Sequence, residues 1–379
     1  MSTALTPSLR TSFAQVIDPR RPGRTLAFSL GEIITIALCA AIGGANDWVA
    51  VETFGKAKLA WFQRFLNLEQ GIPSHDTFGR VFARLDPIAF QNCFRDWIAG
   101  VCERLGIRHV AIDGKRLAGS HNARLDVKAL HLVSAWATEV RLTLGQVAVD
   151  EKSNEITAIP KLLEMLEIAG ALVTIDAMGC QKEIAATIRV QQADYVLAVK
   201  ENQPRLYEDI ERLFRRALEE ETLEATWACH ASQEKSHGRE EMRLCWVMHE
   251  LEDIRDRHLW KDLQSVIVVV TERGVGDKNS SELRYYISSR KSDAATSAHA
   301  IRRHWSIENE CHWVLDVAFK EDSSRIRTDQ EAENVGWLRR MVLSMLKQVK
   351  GKRSLTATRL TAGWNEEFLE QILLDLLGI

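Results

Sequence analysis

The sequence predicts an α/β protein in which a mixed β-sheet is flanked by helices, with a helical domain before it and a β-rich insertion within it. Helical periodicity fills residues 1–104. Short apolar runs alternate with helical segments over 105–199, which is typical of an α/β sheet. Strand-like runs occupy 200–290, after which helical periodicity returns.

Composition limits the classes of protein that fit this sequence. The 379 residues suggest two or three structural units, and 46% hydrophobic with 27% charged residues excludes disordered and fibrous classes. No apolar run reaches the roughly 20 residues of a membrane span, and no signal-peptide pattern appears, so we expect no membrane partner. The 7 cysteines include no CxxC pair, which indicates a cytoplasmic protein with reduced thiols.

The predicted N-terminal domain, residues 1–104, consists of helices. Helical stretches around 31–45 and 47–66 precede a helix that has Ser74 as its N-cap and apolar residues at helical spacing from Phe78 to Leu85. This pattern fits either a DNA-reading helix-turn-helix or a plain helical bundle.

The first part of the α/β core is predicted at 105–199. Two helices are expected there, one beginning near Pro160 and one beginning at Gly179. The expected strands are short apolar runs at 109–113, 129–137, 142–149, 171–176 and 195–199.

A β-rich insertion is predicted at 200–290, followed by the rest of the core. The insertion begins with an acidic helix at 206–221 and continues with strands at 241–248, 265–271 and 283–288. The core returns at 291–350 as a helix over 300–319 and a following helix, and 351–379 forms a C-terminal tail with a helix.

Three carboxylates occupy positions where an ionised side chain is costly. Asp113 and Asp176 each end an apolar run that reads as a buried strand. Helical projection of 300–319 places Glu308 in the middle of the apolar stripe expected to face the sheet. Such carboxylates need a partner or a metal ion.

These three carboxylates suit Mg²⁺, with Mn²⁺ as an alternative, because both ions prefer hard oxygen ligands. Two such ions would support in-line phosphoryl transfer on nucleic acid. Turn or cap roles for the aspartates, and pairing of Glu308 with Arg302 or Arg303, stay open. A zinc face on the same helix, formed by His304, Glu308 and His312, also stays open.

The 49 basic and 52 acidic residues give a net charge of -3, which does not favour nucleic-acid binding. Any such binding must depend on a local cluster of basic residues. Residues 337–360 carry seven Lys or Arg side chains and no acidic one. This basic segment predicts phosphate contacts by Arg339, Arg340, Lys350, Lys352 and Arg353.

Several motifs of this chain resemble one family, the DDE transposases of bacterial insertion sequences, in the branch that includes the H-repeat-associated proteins. The resemblance runs in order from about Asp18 to Trp364. The motifs are GIPSHDTFGRVFARLDP (71–87), AIDGKRLAGS (111–120), HLVSAWA (131–137), EKSNEITAIP (151–160), TIDAMGCQKEIA (174–185), DYVLAVKENQP (194–204), RYYISS (284–289) and IRRHWSIENECHWVLDVAFKEDSSRIR (301–327).

The resemblance implies an RNase H-like core with Asp113, Asp176 and Glu308 as a catalytic triad that binds two Mg²⁺ ions. It further implies cleavage at the terminal inverted repeats of an insertion sequence and strand transfer into target double-stranded DNA, by a homodimer in the DNA complex. A DNA nuclease of the same fold without strand transfer, and a silent repeat-binding relic, are the alternatives.

The sequence departs from the family pattern around the glutamate. Positions that related transposases often fill with Tyr, Arg and Lys are here Ile301, His304 and Leu315. Phosphate contacts would then come from other residues near these positions. The predicted set is Arg302, Arg303, His304 and Lys320, together with Lys200 and Asn202 after the last core strand, and Lys115 and Lys152.

Overall fold

The computed structural model describes residues 13, 16–20, 26–121, 128–149, 153–236, 239–275, 278–327, 330–349, 351 and 353–377. The chain before the sheet is helical, as predicted. Its helices are α1 (Leu30–Ile42), α2 (Trp48–Ala57), α3 (Leu59–Phe62), α4 (His75–Phe82), α5 (Pro87–Asn92) and α6 (Arg95–Leu105).

Polar N-caps start the main helices of this part. Ser29 and Glu32 form a capping box at α1, in which the Glu32 N–H donates to the Ser29 hydroxyl and the Ser29 N–H donates to the Glu32 carboxylate. Ser74 precedes α4 as predicted, although its hydroxyl contacts the Thr77 hydroxyl at 3.1 Å. His75 on α4 is exposed and could therefore reach DNA. DNA reading by this helix stays a prediction.

A single mixed sheet of nine strands forms the centre of the molecule, in the order β3-β2-β1-β4-β5-β9-β8-β7-β6. The β1–β4 and β4–β5 pairs are parallel and the other pairs are antiparallel. The strands are β1 (His109–Arg116), β2 (His131–Ala137), β3 (Leu142–Ala148), β4 (Leu172–Ile175), β5 (Asp194–Val199), β6 (Ala228–Ser236), β7 (Arg239–Met248), β8 (Ser265–Val275) and β9 (Lys278–Ser288).

The β-rich segment extends the central sheet. Strand β9 pairs with β5 from Val196↔Ser288 to Val199↔Tyr285, so β6–β9 continue the sheet beyond β5. Strand β6 is absent from the strands that the sequence predicts, because its sequence ACHASQEKS is mostly small and polar.

Helices cover the sheet and complete the chain. They are α7 (Glu155–Glu164), α8 (Lys182–Val190), α9 (Pro204–Glu219), α10 (Leu223–Thr226), α11 (Ala294–His304), α12 (Trp313–Phe319), α13 (Glu331–Gln348), α14 (Leu355–Trp364) and α15 (Glu366–Leu377). Within the described ranges, no helix has the length and apolarity needed to cross a membrane.

Two predictions about helices are wrong. Helix α7 begins at Glu155, capped by the Asn154 side chain, so Pro160 lies inside the helix and not in its first turn. The segment 300–319 is not one uniform helix, because a π-helical turn at Ile307–His312 separates α11 from α12.

Side-chain alternation along β1 connects the sheet to both helical layers. Val110 and Ile112 belong to the apolar core that includes α7 and α8. Ala111, on the opposite face, belongs to the core shared by the N-terminal helices, the π-helical turn and α13. Asp113 is therefore directed to the face that carries the π-helical turn.

Candidate active site

Asp113 and Asp176 follow paired positions of two neighbouring parallel strands. The register joins Ile112 of β1 to Ile175 of β4, so each aspartate is the next residue after a paired isoleucine. Since side chains alternate along a strand, Asp176 shares its face with Thr174, whose hydroxyl lies 2.9 Å from His304 Nδ1 on α11. Both aspartates thus lie on the side of the sheet covered by α11 and the π-helical turn.

Asp176 also starts a short 3₁₀ turn. Its Oδ1 accepts hydrogen bonds from the backbone N–H groups of Met178, at 3.1 Å, and Gly179, at 3.4 Å. The turn role that the sequence left open for this residue is therefore present. These two hydrogen bonds fix the orientation of the Asp176 side chain. Both are made by Oδ1, so Oδ2 takes no part in them.

Glu308 comes from the π-helical turn. The sequence placed it in the middle of a buried stripe, but Ile307 and Cys311 take the buried positions and Glu308 is exposed. The projection assumed a uniform α-helix, whereas a π-helical turn changes which residues face inward. Such turns are frequent at functional sites.

The three carboxylates line one cleft of about 890 Å³, which is also lined by residues of the neighbouring strands β5 and β9. Lys200, Asn202 and Trp305 line the same cleft. Residues that are far apart in the sequence therefore line one solvent-accessible cleft, and their joint binding of metal ions stays a prediction.

The electrostatics of the cleft suit a cation. Burial raises the pKa of Asp176, and the charges of Glu155 and Asp113 raise it further. Partial desolvation by the cleft wall also raises the pKa of Glu308 although the residue is exposed, with the charge of Asp113 as the next cause. Carboxylates that repel one another in this way are oxygen donors that a divalent cation would stabilise.

The described residues do not include a preassembled metal cage. Among them, no three His, Cys, Asp or Glu side chains are gathered closely enough to hold a metal ion. This applies equally to the carboxylate triad and to the zinc face on His304, Glu308 and His312. The oxygen donors around the cleft nevertheless fit Mg²⁺ or Mn²⁺ in kind.

His312 is the nearest basic neighbour of Asp113. Its Nδ1 lies 3.4 Å from Asp113 Oδ2. Burial opposes ionisation of Asp113, but the hydrogen bond and charge of His312 outweigh burial, so the pKa of Asp113 lies below its ordinary value. Asp113 is therefore ready to act as a carboxylate.

A chain of polar contacts lies beneath the cleft. The Thr174 hydroxyl contacts His304 on one side and His109 Nε2, at 2.8 Å, on the other. Burial lowers the pKa of His304, and it lowers that of His109 to about 3, so both rings are neutral near pH 7. His304 is a partly buried neutral residue that lines the cleft, and its contact with DNA stays a prediction.

Lys115 requires a correction. It was predicted to contact DNA, but it is buried and forms ion pairs with Asp316 and with Glu321, the latter at 3.3 Å. Its Nζ also donates to the backbone carbonyl of His312. A phosphate cannot reach this ammonium group without disrupting the protein core, so Lys115 is left out of the proposed DNA surface.

The basic segment 337–360 also requires a correction. Arg340 is fully buried and donates to Glu321 at 3.0 Å and to Ser134 at 3.1 Å. Arg339 is buried as well, and donates to the backbone carbonyl of Asn46. Because these guanidinium groups are paired inside the protein, Arg339 and Arg340 are also left out of the proposed DNA surface.

Four other predicted DNA contacts are exposed, and two of them, Lys200 and Asn202, line the cleft. Lys200 and Asn202 are exposed, and the Asn202 side chain donates to the Ala177 carbonyl at 2.7 Å, next to Asp176. Lys320 is exposed where α12 ends, and Arg353 is exposed with its guanidinium over the Phe368 ring.

The two arginines of α11 have partners of their own. Arg302 is exposed and pairs with Glu234 at 3.2 Å, whereas Arg303 is partly buried and lies 3.4 Å from the Thr138 hydroxyl. Neither arginine pairs with Glu308 in these contacts. The predicted contacts Lys152, Lys350 and Lys352 lie outside the described residues.

Glu155 is a buried acidic residue near the site that the sequence reasoning missed. It is buried at the start of α7, and it is the largest charged influence on the pKa of Asp176. The motif EKSNEITAIP (151–160) contains it, but a single glutamate in a predicted loop gives no signal of burial.

Comparisons with known proteins identify the family. A family model described as Transposase DDE domain matches residues 104–345, and one described as DDE_Tnp_1-associated matches residues 10–98. The chain is 38% identical to "Putative transposase YncI" of Escherichia coli O157:H7, over 97% of this chain and 94% of that protein.

Two further relatives agree. The chain is 39% identical to "H repeat-associated putative transposase YhhI" of Escherichia coli strain K12, over 94% of this chain and 96% of that protein. It is 41% identical to "Uncharacterized protein in dhlA 3'region" of Xanthobacter autotrophicus, over 77% of this chain and 98% of that protein. The chain therefore belongs to the DDE transposase family, which confirms the resemblance seen in its motifs.

Proposed function

We propose that this chain is an active transposase that cleaves DNA at the terminal inverted repeats of its insertion sequence and joins the freed ends to target DNA. One observation carries the proposal: the register Ile112↔Ile175 brings Asp113 and Asp176 together at strand ends, and Glu308 lines the same cleft. Membership of the DDE transposase family supports it.

We also propose that the fold is RNase H-like. The order β3-β2-β1-β4-β5, in which β1, β4 and β5 run parallel, supports this for 105–199 and for 291–350, which contains α11 to α13. The helical domain at 1–104 would bind DNA, the segment 200–290 would be the insertion, and 351–379 would be a C-terminal tail.

The proposed metal ligands are Asp113, Asp176 and Glu308, acting on two Mg²⁺ ions, with Mn²⁺ as a substitute. When bound, these ions activate the attacking oxygen and neutralise the charge on the leaving oxygen. Positive charge in the cleft would lower the raised pKa values of Asp176 and Glu308, so that all three side chains act as carboxylates.

Two displacements at phosphorus complete the proposed reaction. In the first, a water oxygen attacks at the element end and the bond to the 3′ oxygen breaks, leaving a 3′-hydroxyl and a 5′-phosphate. In the second, that hydroxyl attacks a phosphorus of the target, whose own 3′ oxygen leaves. The element is thereby joined to the target without any net change in the number of phosphodiester bonds in this step.

The DNA would lie across the mouth of the cleft. Lys200 and Asn202 border the carboxylates, Arg302 of α11 lies against Glu234 of the insertion, and Arg303 of α11 lies near Thr138. Lys320 and Arg353 add exposed positive charge, and Lys152, Lys350 and Lys352 stay predictions. Because an insertion sequence has two ends, we expect a homodimer in the DNA complex.

A cleavage and joining assay tests the proposal. The purified full chain would be incubated with DNA carrying the element's inverted repeats and with Mg²⁺ or Mn²⁺. We expect Asp113→Asn, Asp176→Asn and Glu308→Gln each to lower cleavage by roughly a hundredfold or more, because each removes a charge that holds the metal.

Glu310→Gln is the matched control for Glu308→Gln. Glu310 lies in the same π-helical turn but pairs with Arg141 at 2.8 Å, outside the cleft residues. Normal cleavage by the three cleft variants would overturn the triad. Pre-cut ends separate the alternatives: a chain that cuts but does not join them is a nuclease, and one that binds repeats without cutting is a relic.

A further inference from the structure

A second cavity, of about 320 Å³, lies between α11 and one face of strands β6 to β9. Residues at alternate positions of each of these strands line it, as expected for side chains that share one face of a sheet. From α11 the lining includes the small side chains of Ala295 and Ala298, which leave room between the helix and the sheet.

This cavity adjoins the carboxylate cleft. Both cavities are lined by Arg284, Tyr286, Ile301 and Trp305. The guanidinium carbon of Arg284 lies 4.8 Å from the centre of the Trp305 ring, so a β9 side chain and the residue that follows α11 meet where the two cavities join. A strand of DNA that leaves the carboxylates past Trp305 would therefore enter the second cavity.

The second cavity has more basic than acidic groups in its lining, and we call it the arginine groove. Among the described residues that line it, the Lys, Arg, Asp and Glu side chains are those of Arg243, Arg273, Arg284, Arg302, Glu234 and Glu241. The buried Glu241 carboxylate lies 2.6 Å from Arg243 and 3.3 Å from Arg273. Four guanidinium groups and two carboxylates give this lining a net positive charge.

The ion pairs at the rim of the arginine groove are exposed to solvent. Arg302 pairs with Glu234 at 3.2 Å, and both side chains are 47% exposed. Arg284 pairs at 2.8 Å with Glu282, whose side chain is also 47% exposed. Exposed ion pairs are weak, whereas an arginine can hold a phosphate with two parallel hydrogen bonds. A phosphodiester can therefore compete with these glutamates for the guanidinium groups.

We propose that the arginine groove binds a short single-stranded stretch of DNA at the element end, with Arg273 and Arg284 as phosphate contacts. The inference rests on the proposed function, because the strand continues from the scissile phosphate in the cleft. A cavity of this size does not accept a double helix, whose major groove alone is about 12 Å wide. Basic grooves with aromatic surface, here from Tyr286 and Trp305, are typical of single-strand binding. The competing explanation is that the arginines only hold α11 to strands β6 to β9.

Binding of a fluorescein-labelled thymidylate oligomer of about ten nucleotides to the full chain, followed by anisotropy in EDTA, tests the inference. Cleavage needs metal in the proposed function, so this assay measures binding alone. We expect Arg273→Gln and Arg284→Gln each to lower the slope of log K against log salt by about 0.7, and the double variant by about 1.4. A blunt duplex of equal length should bind Arg273→Gln and the parent with equal slopes.

Arg215→Gln is the control, and it should keep the parent's slope on the oligomer. Arg215 pairs with Glu211 at 2.9 Å on α9, whose apolar side chains pack against the opposite face of the same strands. Urea midpoints measure any loss of stability separately. A purely structural role of the groove arginines would lower the midpoint and leave the salt slope unchanged, so a less stable variant still gives a decisive result.

The outcomes separate the inference from the proposed function. If the parent does not bind the oligomer, or if Arg273→Gln and Arg284→Gln keep its slope, the inference is overturned and the proposed function remains. If Arg273→Gln lowers the slope equally on the blunt duplex, the groove belongs to a duplex-binding surface and the inference is also overturned. Parent-like cleavage of repeat ends by Asp176→Asn would instead contradict the proposed function itself.

Discussion

Nδ1 of His312 lies 3.4 Å from Oδ2 of Asp113, so the π-helical turn that carries Glu308 contacts the strand that carries the first aspartate. The backbone carbonyl of the same histidine accepts a hydrogen bond from Lys115, two residues beyond Asp113. His312 is therefore held to β1 by its ring and by its backbone. This double contact sets the distance between two members of the proposed triad.

We predict that His312→Asn shifts the acidic limb of the pH–cleavage profile to higher pH. Burial raises the pKa of Asp113, and His312 more than compensates, so removal of the imidazole raises that pKa. Asp113 then stays protonated to a higher pH, and cleavage begins at a higher pH than in the parent. His299→Asn, on the exposed side of α11, should leave the limb in place. An unshifted limb in His312→Asn would show that His312 does not control this carboxylate.

Lys115→Met should destabilise the protein without changing the salt dependence of DNA binding. The substitution leaves Asp316 and the fully buried Glu321 without the ammonium group they share, which costs about 3–5 kcal/mol. A lower urea midpoint measures this loss. Lys56→Met, which breaks an exposed pair with Glu52, should cost less than about 1 kcal/mol. A flatter salt slope with unchanged stability would instead return Lys115 to the DNA surface.

Lys200→Ala should flatten the salt dependence of DNA binding. Lys200 is exposed at the end of β5 and lines the cleft, where its loss removes one phosphate contact. The slope of log K against log salt should then fall by about 0.9. The control is Lys261→Ala, because the Lys261 carbonyl accepts from Tyr195 near the opposite end of β5. Equal slopes for both variants would exclude Lys200 from the interface.

Glu333 should make stability depend on pH. Burial raises its pKa from 4.5 to about 7, with Asp86 as a second cause. A raised pKa in the folded state means that its contribution is complete below pH 4.5 and is lost as the pH rises through 7. Glu333→Gln should therefore gain roughly 1–3 kcal/mol over the parent at pH 8 and much less at pH 5.

Urea midpoints at pH 5 and pH 8 measure this difference. The exposed Glu367 supplies the control, because Glu367→Gln should change the midpoint equally at both pH values. A constant difference between Glu333→Gln and the parent at the two pH values would contradict the prediction.

The positions of the two aspartates could be predicted because a strand end is a local feature. The runs VAID and LVTID each end in an aspartate. Parallel pairing of β1 with β4 then brings the two strand ends to the same edge of the sheet. The helix start at Ser74 is also a local signal, since a polar residue precedes an apolar repeat.

The exposure of Glu308 and the burial of the arginines could not be predicted in this way. A π-helical turn depends on how 307–312 packs against the sheet, and that packing does not appear in a 3.6-residue repeat. The sequence alone suggests that Arg340 is a surface charge. Its partners Glu321 and Ser134 lie on other elements and can be identified only from the fold. The burial of Glu155 could not be predicted for the same reason, because its neighbours come from distant parts of the chain.

The pairing of β5 with β9 limits how far this protein can be shortened. A chain without 200–290 would leave the backbone N–H and C=O groups along one side of Asp194–Val199 bare, and such an edge recruits strands from other molecules. A minimal catalytic fragment made by that deletion would therefore accumulate as insoluble aggregate. Efforts to crystallise or engineer a smaller enzyme should trim the ends of the chain and retain all nine strands.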